Sequence, residues 1–154
     1  MVEPLHIERG NALLREANFI VQVRTGTMTI IALEAMLAAT RRFGVDVPGK
    51  RGALLVIGPR AEMVAPILRK RQVQGLRDLV RDPLASVCIV IEGSSPTAAL
   101  YRSLARSDQL MASNGMVCET VELGARWLAD AVGDVDVAMI EDLATQARAG
   151  ANRT

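Results

Sequence analysis

The sequence predicts a single-domain α/β fold: a mostly parallel sheet of four or five strands, four helices, and one further helix at the C-terminus. Two segments, residues 53–57 (ALLVI) and 86–91 (SVCIVI), are short and apolar throughout, as strands covered on both faces are. Each precedes a stretch in which apolar residues recur at helical spacing, and strands alternating with helices build parallel sheets through right-handed crossovers. The chain has 154 residues, of which 50% are hydrophobic and 23% charged, values that fit one folded domain and not a disordered chain. The alternation leaves the order of the strands open.

Taken in order, residues 5–9 suit a short strand, and the polar stretch 10–18 joins it to the next, although residues 13–17 also permit a helical turn. Residues 18–24 (NFIVQVR) alternate, with Phe19, Val21 and Val23 on one face and Ile20, Gln22 and Arg24 on the other, which predicts a half-buried strand. After Gly26, Thr27 or Thr29 can cap a helix carrying Ile30, Leu33 and Leu37 inward and fading near Phe43 and Gly44. A second helix is expected from Pro66 to Val80, facing the core with Ile67, Val73 (or Leu68), Leu76 and Val80, and stopped by Asp82-Pro83. Ser95 as N-cap and Pro96 at the first helical position give the sharpest helix start in the chain. That third helix carries Leu100, Leu104 and Met111 inward and ends near Asn114-Gly115. Residues 116–119 form a short strand, and residues 121–131 a helix with Leu123, Trp127, Leu128 and Ala131 as its apolar stripe, ended by Gly133. Beyond Asp134, Val137, Ile140, Leu143, Ala144 and Ala147 recur at helical spacing. We therefore expect a domain over 1–133 and a helical appendage over 134–154, which covers an edge or pairs with a second subunit.

Composition excludes several functions. Lysine and arginine number 18 against 17 acidic residues, a net charge of +1, so no bulk attraction draws the chain to nucleic acid or anionic membranes. Aromatic residues are only 3%, too few for base-stacking platforms. One histidine, His6, and two cysteines, Cys88 and Cys118, cannot assemble a zinc-type cluster, and no cofactor is expected. The cysteines sit in apolar strand-like stretches and read as reduced, buried thiols. With no basic leader ahead of an apolar stretch and no apolar run near membrane-spanning length, the protein is expected in the cytoplasm.

Four segments carry a family resemblance: VRTGTMT at 23–29, ALLVIGP at 53–59, SVCIVIEGSS at 86–95 and ETVELGARWL at 119–128. Together, over about residues 15–130, they resemble the STAS domain of sulfate-transporter cytosolic regions and anti-sigma-factor antagonists. The resemblance implies a regulatory domain that docks on protein partners. In phosphorylatable members the loop after the ALLVIGP-like strand carries an Asp-x-Ser motif. Here that loop reads GPRAEMVAP, and no serine or threonine occurs between Thr40 and Ser86, so phospho-switching is not expected.

Charge is uneven along the chain. Residues 41–81 hold ten basic and three acidic residues, a balance of +7, whereas residues from 113 onward hold three basic and seven acidic, a balance of −4. Arg60, Arg69, Lys70 and Arg71 are accordingly candidates for docking an acidic protein partner, and a homodimer is expected, beside the plainer reading of a solvated helix face. Gly58, Gly93, Ser94 and Ser95 flank the ends of apolar strands, where α/β folds place ligands and helix N-termini attract anions, although capping alone accounts for Ser95. The leading expectation is a non-catalytic STAS-like interaction module. The alternative is a binder of a small apolar or anionic ligand, with Gly58, Pro59, Gly93 and Ser94 rimming a cavity of methionines and leucines. An enzyme is the minor alternative: Ser94 or Ser95 would need a base, and His6 is the only imidazole.

Overall fold

A computed structural model of the chain describes residues 1–107 and 114–153. Six strands form one sheet in chain order: β1 (Glu3–Glu8), β2 (Asn11–Glu16), β3 (Phe19–Arg24), β4 (Arg51–Ile57), β5 (Ala85–Ile91) and β6 (Gly115–Cys118). β1, β2 and β3 form an antiparallel meander, and β3 to β6 run parallel. The sheet is thus mixed and one strand larger than the upper expectation. The strand not foreseen is β2. Its buried run Asn11–Leu14 is too short for periodicity to separate strand from helix, and the β2–β3 turn at Ala17 (φ 52°) contains no glycine or proline to mark it.

The five helices are α1 (Ile30–Asp46), α2 (Pro66–Arg81), α3 (Pro96–Ser107), α4 (Val121–Val132) and α5 (Val137–Ala151). Each parallel strand lies beside the previous one, so α1, α2 and α3 follow one another across the same face. The strands alternate accordingly: Ile20, Ala53, Leu55, Val87 and Ile89 face these three helices, and Val21, Leu54, Val56, Cys88 and Val90 face α4 and α5. β3 is therefore covered on both faces, not half-buried as its alternation suggested. α5 lies on β2 and β3 with Ile140, Leu143 and Ala147 fully buried, so of its two expected roles it fills that of core cover. Its last turn hands the Ala151 carbonyl to the Gly10 amide at 2.8 Å.

Caps follow the sequence closely. Thr29, not Thr27, accepts from the Ala32 amide at the start of α1, Ser95 Oγ accepts from Ala98, Thr120 from Leu123 and Asp136 from Ala138. Helix phases differ more. Ile30, Ile67, Leu100 and Leu123, expected inward, are exposed, while Ala32, Ala98, Gly124 and Ala125 take the contact lines. Small residues win there because they let a helix axis approach the sheet, and bulky neighbours are then turned to the rim. Trp127 is half-buried against the α4–α5 core. Met111, expected inward on α3, lies outside the described residues. Cys88 and Cys118 are free, buried thiols with sulfurs 3.6 Å apart.

Candidate functional site

α2 does not settle on the sheet. Its sequence, PILRKRQVQGLRDLVR, buries only Val80 fully. The C-terminal end is fixed by Asn114, whose side-chain amide donates to the carbonyls of Val80 (2.8 Å), Asp82 (3.1 Å) and Ala85 (2.7 Å). The buried Arg51 adds an ion pair to Asp82. Further along, Arg71 pairs with Glu34 of α1 through two hydrogen bonds of 2.9 and 3.2 Å. Held at these points, α2 leaves a chamber of about 390 Å³ beneath it, within the usual range for small-molecule sites.

Leu55, Ile57, Ile89 and Ile91 of the sheet form the chamber floor. Leu33, Met36 and Leu37 of α1, Leu76 and Leu79 of α2, and Leu104 of α3 wall it. No aspartate or glutamate is among its described lining residues. Met63, in the loop ahead of α2, also lines it and is exposed, which puts an apolar side chain at the mouth.

Arg24 and Tyr101 bring buried polar atoms to this largely apolar space, whose lining also includes Gln22, Thr40, Arg69 and Gln72. Arg24, the last residue of β3, is only 2% exposed. Its guanidinium donates to the Glu62 backbone carbonyl, while the Glu62 carboxylate is turned to the Thr27 hydroxyl at 2.9 Å. Among the described residues no carboxylate pairs with Arg24. Burial lowers its pKa from the usual guanidinium value, partly offset by Tyr101. The Tyr101 hydroxyl on α3 is buried without a hydrogen-bond partner among the described residues. Burial raises its pKa, and the positive charges of Arg24 and Arg69 oppose that rise.

Of the residues predicted from sequence, Arg69 alone joins the chamber wall. Arg71 is committed to Glu34, and Arg60 and Lys70 are exposed. Gly58 is buried, its amide donating to the Arg24 carbonyl at 2.9 Å; Gly93 (φ 105°) gives its carbonyl to Arg102 at 3.0 Å; Ser95 caps α3; Ser94 is exposed. None of these four lines the chamber, which lies beneath α2 and reaches the strand ends through Met63 and Val64 of the loop between β4 and α2. His6 lies in β1 and bonds Glu8 at 2.9 Å. Four strand spacings, roughly 19 Å, separate it from the β5 end where Ser94 and Ser95 follow, so no serine–histidine pair forms.

Sequence reasoning missed Arg24 and Tyr101. Arg24 stands in phase with Ile20 on a strand, and Tyr101 is the only tyrosine of the chain. Among the described residues no group of three histidine, cysteine or acidic side chains could hold a metal, and no helix is long and apolar enough to cross a membrane. No protein-family model, curated protein or solved structure matches the chain.

Proposed function

We propose that this α/β domain binds a small, predominantly apolar molecule in the chamber between the sheet and α1, α2 and α3. The observation that carries the reading is the chamber itself: about 390 Å³, walled by leucine, isoleucine and methionine, on a sheet whose other face is closely covered. Nile red, an uncharged apolar dye, tests it. The wild-type protein should bind the dye with a rise in fluorescence, and Leu76→Trp, which fills the chamber, should suppress that rise with the circular dichroism unchanged. No uptake by the wild type, or uptake indifferent to Leu76→Trp, would overturn the reading.

A second reading, the STAS-like docking module, draws on a different observation. Ile31 (78% exposed) and Ile67 (80% exposed) stand about one turn ahead of the Glu34–Arg71 pair, with the exposed Lys70 one turn after Ile67 on α2 and the exposed Arg60 in the loop before that helix. An acidic protein partner or a second copy would cover them. Sedimentation of the wild type beside Ile31→Ser/Ile67→Ser tests the second copy: dimer lost in the variant supports it, and a monomeric wild type removes self-association.

A further inference from the structure

We infer that the chamber takes an aliphatic monocarboxylate of small-molecule size, its carboxylate received by Arg24 and Tyr101. The inference rests on the chamber's being a binding site and adds the chemistry of its occupant.

Charge comes first. A guanidinium carries five N–H donors and no acceptor, and buried charges in folded proteins are paired or otherwise compensated. Arg24 is 2% exposed, and its one hydrogen-bond partner among the described residues is a backbone carbonyl. The nearest acidic residue in sequence contact with it, Glu62, spends its carboxylate on Thr27. The buried Arg24, with the partly exposed Arg69 beside the same chamber, thus faces a space whose described lining contains no carboxylate.

Hydrogen bonding points the same way. The Tyr101 hydroxyl, close enough to Arg24 for each to shift the other's titration, is buried with no partner among the described residues. A guanidinium with unused N–H groups and an unpartnered hydroxyl bordering one chamber match a group with several lone pairs. A carboxylate has about four such sites and accepts from arginine in a planar, bidentate manner. An alcohol would satisfy a donor and leave the charge uncompensated. A phosphate monoester brings about −1.5 to −2 charges and is the competing headgroup, because Arg69 also lines the chamber; the carboxylate matches the one lining arginine that is fully buried.

Size and polarity fix the remainder. The chamber's volume of about 390 Å³ lies in the small-molecule range, so a medium-length chain such as decanoate is a suitable probe. Apart from the arginine end the walls are mostly aliphatic, so the body is a hydrocarbon.

The test compares decanoate, decanol and decyl phosphate as competitors of Nile red on the whole protein. Decanoate should bind at least about tenfold more tightly than decanol, the ratio given by one charge-assisted hydrogen bond. Arg24→Met should bring the ratio near one, and Tyr101→Phe, which keeps the ring, should lower it several-fold. If Arg24→Met does not fold, the wild-type ratio and Tyr101→Phe decide. Dye displaced equally by decanoate and decanol would overturn the carboxylate and leave the chamber standing. Decyl phosphate binding more tightly than decanoate would replace the headgroup. A protein that takes up neither dye nor competitor would remove the chamber reading as well.

Discussion

Replacing Gly75 and Gly124 by alanine, one at a time, separates a helix that stands off the sheet from one that lies on it. Both glycines are inside helices, so each substitution gains about 0.5–1 kcal/mol of helix propensity. What the new methyl group meets decides the sign. At Gly124 it would stand 2.9 Å from Val90 Cγ2 and 3.0 Å from Cys88 Sγ and Leu54 Cδ1. All three residues are fully buried in strands, with no space to retreat into, and overpacking of this kind costs about 1–3 kcal/mol. Gly124→Ala should therefore lose up to about 2 kcal/mol. At Gly75 the methyl would fall on Leu37 Cδ2, the far end of a flexible side chain that borders the chamber. Leu37 can change rotamer into that space, so Gly75→Ala should be neutral or more stable by up to about 1 kcal/mol. Urea unfolding followed by circular dichroism measures both variants. If Gly75→Ala destabilises as much as Gly124→Ala, the space beside Leu37 does not exist and the chamber argument fails with it.

Two further outcomes follow from burial. Ile140→Ala should cost about 2–5 kcal/mol in the same assay, since Ile140 is fully buried between α5 and the sheet; a loss below about 1 kcal/mol would make α5 peripheral. Tyr101 is the only tyrosine, so phenolate absorbance reports it alone, and its midpoint should lie above the usual 10.0 because burial disfavours the phenolate. A folded pKa raised above the unfolded one gives stability that is complete below pH 10.0 and lost as the pH rises through the raised value, so the unfolding midpoint should fall across that window. Arg24→Met should move the titration higher still, because Arg24 and Arg69 oppose the shift; a midpoint at or below 10.0 in the wild type contradicts a buried hydroxyl.

The parts of the fold legible in the sequence are those set by local chemistry. The apolar runs of β4 and β5, the Ser95-Pro96 start of α3 and the end of α4 at Gly133 (φ 84°) depend on neighbours a few residues away. The phases of the helices do not. Periodicity weighs large apolar residues, and it placed Ile30, Ile67, Leu100 and Leu123 inward; beside Ile30, Leu100 and Leu123 the small residues Ala32, Ala98, Gly124 and Ala125 are buried, whereas α2 buries only its last-turn Val80. Arg24 was hidden for a related reason. Alternation assigns the polar phase of a strand to solvent, but β3 lies between β2 and β4 with helices on both faces, so its polar phase has no solvent to face.

The same contrast in residue size explains why the chamber lies on one face of the sheet. α4 and α5 meet the strands through Gly124, Ala125, Ala129, Ala144, Ala147 and Ala151 interleaved with the fully buried Leu128, Ile140 and Leu143, and Leu54, Val56 and Val90 are fully covered. α2 instead offers Leu68, Leu76 and Leu79, with Gln72 and Arg69 among them, and none of these five is fully buried. Its bonds to Asn114 and to Glu34 prevent it from tilting down to compensate. Under that standing helix the strand ends with a cation. Closing α2 onto an apolar floor would gain dispersion energy, but closing it onto the unpaired Arg24 guanidinium would remove the charge from the remaining water without supplying a partner. The buried charge and the bulky helix therefore favour the same outcome, an open space beside Arg24 and Tyr101, and an anionic apolar molecule meets both requirements at once.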